Sequence, residues 1–168
     1  MKAALFFVLA LAAVPAFAEW GEIIPPGARQ EDKPWVESPL SLPAYPQAAD
    51  LMPFTVSPVS RFHYALDKKA VSIEAGGLIR YAVVATSPQG AVNVSYEGMR
   101  CKTQEYKIYA IGVGGTWQTV RDPLWRPIQL RSPYSYRRVL MHDAFCPGGI
   151  AAAGAAQALG NLQQGHGW

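Results

Sequence analysis

Eight of the chain's prolines fall between residues 19 and 60, at Pro25, Pro26, Pro34, Pro39, Pro43, Pro46, Pro53 and Pro58. Proline removes a backbone donor and fixes φ, so that density forbids a helix or a central strand over this stretch. Residues 19–52 are therefore expected to form an extended arm with local polyproline II character. Trp20, Trp35 and Tyr45 are large apolar groups within it, which a freely solvated linker seldom carries, so parts of the arm should dock on whatever follows.

The charge is divided in the same way. Residues 19–60 sum to −4, residues 61–146 to +6, and residues 147–168 carry no charged side chain. The net charge of +3 hides this order. It is too small and too offset for a nucleic-acid binder, which shows a stronger basic excess.

The first 18 residues read as a secretory leader. Lys2 is the charged start, Ala3 to Val14 the apolar run, and Ala16-Phe17-Ala18 a small-x-small cleavage site. The run is too short to cross about 30 Å of hydrocarbon, and no later segment of the mature chain is a transmembrane candidate. The expected location is outside the cytoplasm: the periplasm, with outer-membrane association as an option. Cys101 and Cys146 are the only cysteines, and an oxidising compartment favours a disulfide between them. Closing a loop of roughly 45 residues stabilises a fold by about 4 kcal/mol on the chain-entropy model. No Cys-x-x-Cys favours a redox or metal role instead.

The body of the chain alternates in the β manner. Phe62 to Leu66, Leu78 to Thr86, Ala91 to Cys101, Tyr106 to Ile111 and Thr116 to Val120 read as strands, separated by turn signals at Gly76-Gly77, Ser87-Pro88-Gln89-Gly90 and Gly112-Val113-Gly114-Gly115. Met99 and Cys101 are out of phase with Val92, Val94 and Tyr96, which predicts a one-residue bulge at Glu97-Gly98. Ser132-Pro133 predicts a helix start, and Tyr136, Val139, Leu140 and Ala144 follow at helical spacing, with Arg137 and Arg138 off that stripe. The fold class is α+β: an antiparallel β-sheet of about 5–6 strands with one helix packed on a face, over residues 53–147, plus the N-terminal arm. Residues 148–168 are alanine- and glycine-rich, and a helix there without charge pairs is marginal alone.

Lys33-Pro34-Trp35, the strand Leu78-Ile79-Arg80-Tyr81, the run Asn93-Val94-Ser95-Tyr96-Glu97-Gly98-Met99-Arg100-Cys101 and the late Phe145-Cys146 resemble the cryptic neisserial protein-like family. The resemblance spans about residues 32–146 and leaves the alanine-rich tail outside. It implies an exported Gram-negative envelope protein. The layout is also similar to small secreted adhesin-like domains with one strand-borne and one helix-borne cysteine. The family brings no catalytic residues, so none carries over.

Chemistry-bearing residues are few. His142, Asp143 and His63 are the raw material for a small envelope hydrolase or metal-dependent enzyme. Adjacent helical residues point about 100° apart, however, so His142 and Asp143 do not make a base and its orienter. No Gly-x-Ser-x-Gly elbow and no four-ligand metal set is present, so no catalytic residue, metal or cofactor is assigned. Glu97 and Arg100 form a candidate polar site, or else a weak surface pair. Arg121, Trp125, Arg126, Arg131, Tyr134, Arg137 and Arg138 form a candidate binding surface, since arginine among aromatics suits a protein partner, an anionic glycan or a lipid headgroup. The expectation is a non-enzymatic binding module with an envelope partner, its acidic arm lying against its own basic face.

Overall fold

The computed structural model describes residues 35–133 and 135–165. The expected leader, the first part of the expected arm, Tyr134 and His166 lie outside these. Eight strands form one antiparallel sheet, β1 (Leu51–Phe54), β2 (His63–Asp67), β3 (Ser72–Ile73), β4 (Leu78–Thr86), β5 (Val92–Arg100), β6 (Glu105–Val113), β7 (Thr116–Thr119) and β8 (Arg126–Pro127). Six of them lie side by side in the order β1-β2-β4-β5-β6-β7, while β3 adds to β4 and β8 to β6. The antiparallel α+β class expected from the sequence is the class that forms. Both proline-bearing strands sit where proline is tolerated, β1 at the sheet edge and β8 as a two-residue pairing.

One face of the sheet is covered by helices. α1 (Tyr136–Val139) starts at Ser135, whose side chain accepts from the Arg138 amide, so the cap falls three residues beyond the expected Ser132. It runs on into a π-helical turn, Leu140–Phe145, closed by the Cys146 amide on the Met141 carbonyl at 2.7 Å. The wider turn rotates Met141 inward, so a residue off the α-helical stripe is 1 % exposed. A second helix, α2 (Ala155–Gln164), packs alongside. The marginal tail is thus an ordered element, because Ala158 and Leu162 bury against the same core. Burial of this kind supplies the stability that intrinsic propensity lacks.

The core under the helices is aliphatic and aromatic: Leu66, Ile79, Tyr81, Val83, Met99, Leu140 and Phe145. Tyr81 and Phe145 meet at a tilt of 41° with centroids 4.9 Å apart. Each such side chain contributes roughly 1.5–3 kcal/mol on burial. Cys101, just past β5, is bonded to Cys146 at the end of the π turn, with Cα atoms 5.6 Å apart, so the sheet and the helical layer are covalently joined.

β5 is not bulged. Its register with β4 is unbroken from Val92 to Arg100, and the register shift lies on the other side, where Tyr96 faces Ala110 and Glu97 faces Ile108. The extra residue is therefore Tyr109 of β6. The reason is that both faces of β5 are buried: Glu97, Met99 and Cys101 point to the helices, while Val94 and Tyr96 point the other way. Out-of-phase apolar residues then need no bulge.

Candidate functional site

The second face of the sheet differs in kind. Alternate positions of β4, β5 and β6 place Arg80, Ala82, Tyr96 and Lys107 there, the bulge at Tyr109 lets both Tyr109 and Ala110 join them, and β7 adds Trp117. No helix covers it. Residues 35–46, an irregular strap from the end of the proline-rich arm, lie across it.

The strap is held by side chains. The carboxylate of Glu37 accepts from Lys107 Nζ at 2.6 Å, Tyr109 Oη at 2.7 Å and Trp125 Nε1 at 3.3 Å. Burial alone would raise the Glu37 carboxyl, but the hydrogen bonds from Lys107 and Tyr109 and the lysine charge outweigh it and hold the group below its ordinary value. Burial also pushes the Tyr109 phenol well up, and the neighbouring carboxylate adds to this, so the hydroxyl stays a donor. Arg80, 3 % exposed, donates to the carbonyls of Ser38 at 2.6 Å and Pro39 at 3.0 Å, and pairs with Glu74 at 2.7 Å. Ser38 Oγ donates to the same Glu74. Further along, Trp117 Nε1 donates to the Pro43 carbonyl at 3.0 Å while its ring meets Tyr45 at 5.1 Å. At the other end, Arg100 lies 4.0 Å from the Trp35 ring centroid, and Trp35 meets Trp125 edge-on at 5.9 Å.

Two glycines shape this face. A Cβ at Gly112 would fall 2.5 Å from Tyr45 Oη and 2.8 Å from the Val94 side chain, so its absence is the notch that seats Tyr45. A Cβ at Gly98 would fall 2.5 Å from Tyr109 Oη, so the bulged tyrosine lies flat over bare backbone and reaches Glu37.

The residues singled out from the sequence divide among different places. Glu97 and Arg100 do not form one site: they are on opposite faces. Glu97 is fully buried under the helices, where it accepts from Tyr81, Ser95, Tyr136 and, twice, from Arg137. Arg100 pairs with Glu105 at 3.5 Å and lies against the strap's tryptophan. Of the arginine-aromatic set, Arg121, Arg126 and Arg131 are exposed, while Arg137 turns inward to Glu97 and stacks over Tyr106 at 3.8 Å. Arg138 is half-buried beside the loop at Val56–Pro58. Of that set, Trp125 touches the strap, at Glu37 and Trp35. The strap-binding cations, Arg80, Arg100 and Lys107, come from the sheet instead. Arg100 is already named in the candidate polar site; strand alternation could have found the other two, since Arg80 and Lys107 share a face with Tyr96 once β5 is read without a bulge.

His142 and His63 are exposed, at the helical turn and at the start of β2. Asp143 lines a cleft of about 430 Å³ between residues 53–58 and the helices, and His63 lines an adjoining one. Among the described residues, no three His, Cys, Asp or Glu side chains converge as metal ligands, and no helix is long and apolar enough to cross a membrane.

Fold and site together define a disulfide-joined α+β domain with one hydrophobic sheet face and one polar-aromatic face. The chain belongs to the CNP1-like family, whose profile matches residues 30–163. That span takes in the strap and all of α2 but Gln164, so most of the alanine-rich segment lies inside the family likeness rather than outside it. No curated protein and no solved structure matches the chain.

Proposed function

We propose that this protein is an exported interaction module of the cell envelope, without an active site, that binds a protein partner through the strap-bearing sheet face. The observation that carries the reading is the composition of that face. The helix-covered face is built mainly from Leu, Ile, Val, Met and Phe, and the buried ion pair of Glu97 with Arg137 is enclosed beneath the helices. The other has Tyr96, Tyr109, Trp117 and Trp125 interleaved with Arg80, Arg100 and Lys107, and its polar tips aim at backbone carbonyls and a carboxylate. Tyr, Trp and Arg are the residues enriched in recognition surfaces, where large rigid rings contact a partner at small entropic cost. A polypeptide suits it better than a glycan or a lipid headgroup, because Arg80 and Trp117 donate to main-chain carbonyls. The leader at residues 1–18 and the Cys101–Cys146 bond support the exported location.

Photo-cross-linking in intact cells, with a reactive residue at exposed Thr116 beside Trp117, tests the reading. The expected result is one dominant cross-linked protein, released with the periplasmic or outer-membrane fraction, with the mature chain starting at Glu19. A chain that stays cytoplasmic with its leader attached, or a cross-link pattern unchanged by Trp117→Ala, would overturn it.

A further inference from the structure

We infer that residues 35–46 are a displaceable internal ligand, and that the partner presents an extended, acidic, proline-containing segment of the same kind. The inference rests on reading the polar-aromatic face as a recognition surface, and adds what it recognises and what blocks it.

Four observations point this way. First, among the described residues no backbone group of the strap pairs with the backbone of a strand. It is gripped by side chains, as grooves lined with aromatics grip polyproline-like peptides. Second, one side of the strap contributes little to the fold: Val36 is 83 % exposed, Leu40 43 %, and Pro39, Ser41 and Ala44 are also exposed. Third, the contacts read a pattern. Tryptophan and carboxylate two residues apart meet Arg100 and Lys107, two carbonyls meet Arg80, and a third beside a tyrosine meets Trp117 and the Gly112 notch. Fourth, the strap can leave without unthreading the sheet. It joins β1 through Gln47, Ala48 and Ala49, all exposed, and β1 pairs with β2 from Leu51 onward.

Tethering gives the strap an effective concentration on the order of millimolar, so a strap whose contacts alone would bind at about 10 μM weakens any competing segment by about 100-fold. The strap thus sets a threshold that a partner overcomes by affinity or local abundance.

The test uses the full mature, disulfide-bonded chain with a protease recognition sequence replacing Gln47–Ala49. After cleavage in the folded state the strap is held by contacts alone. A fluorescent peptide with the sequence of residues 33–46 is added, and anisotropy reports uptake. The cleaved protein should take up the peptide and the uncut protein should do so at least tenfold more weakly. A peptide carrying Glu37→Lys should lose at least tenfold, and Lys107→Ala protein should lose binding of the native peptide. Loss of the cooperative melt on cleavage and washing would make the strap part of the fold and overturn the inference. So would release of the strap with no uptake of peptide. A dimer that forms at high concentration and dissolves on adding peptide would give the face to a second copy's strap, overturning the foreign partner. A cellular cross-link that survives Lys107→Ala but not Trp117→Ala would sink this inference and leave the binding-module reading standing.

Discussion

Arg137 and Glu97 meet through two parallel hydrogen bonds, Nε to Oε2 and Nη2 to Oε1, each 2.7 Å, beneath the helical layer. Ser95, Tyr81 and Tyr136 also donate to Glu97, the two tyrosine hydroxyls held protonated by burial and then by the carboxylate's charge. A residue that looks like part of a solvent-facing arginine cluster is thus the counter-ion of a fully buried acid. Arg137→Met leaves that carboxylate without its cation and should cost about 3–5 kcal/mol in urea unfolding. Adding Glu97→Gln should recover part of the loss, because the buried charge is then gone. A cost below about 1 kcal/mol for Arg137→Met would rule out this account.

The Cys101–Cys146 bond should show in two ways. Alkylation of the native, unreduced protein should leave its mass unchanged. The Cys101→Ser/Cys146→Ser double variant should lose about 4 kcal/mol, since the bond closes a loop spanning a sequence separation of 45.

Acid should loosen the strap. Because the Glu37 carboxyl lies below its ordinary value when docked, its contribution is complete above pH 4.5 and is lost as pH falls through the lowered value. Tryptophan fluorescence, read through Trp35, Trp117 and Trp125, should report a step below that pH. Glu37→Gln should remove the step while the global melt persists.

Glycine substitutions should separate the two halves of the site from the rest. Gly98→Ala drives a methyl into the Tyr109 ring, and Gly112→Ala drives one into Tyr45 and Val94, so each should cost about 1–3 kcal/mol and raise proteolysis of the strap. Gly160→Ala in α2 meets open space and should stabilise by about 0.5–1 kcal/mol. Differential scanning fluorimetry with limited proteolysis would distinguish the three.

Much of the fold is legible in the sequence because its signals are local. The β4–β5 and β6–β7 hairpins follow from turn residues between β-branched runs, and the disulfide agrees with the pairing expected of the chain's two cysteines. What escaped reading depends on partners distant in sequence. A bulge assigned to β5 presumed one buried face, whereas the strap buries the other. The inward turn of Arg137 depends on Glu97, 40 residues earlier, and on where α1 begins. α2 is stable through Ala158 and Leu162 packing on the core, which composition does not report. That the arm docks could be expected from its aromatics; that it docks on Arg80, Arg100 and Lys107 required strand alternation carried across three strands.

The opposite characters of the two faces give β5 a further property. Its residues alternate between partners that do not tolerate each other: Glu97 needs the tyrosine and arginine donors beneath the helices, and Tyr96 needs the small residues Ala82 and Ala110 beside it. A slip of one residue would send the carboxylate out against the strap and push a phenol ring into the space beside Phe145. The strand therefore carries its own proofreading: mispairing is penalised on both sides at once, by a stranded charge on one and a steric collision on the other.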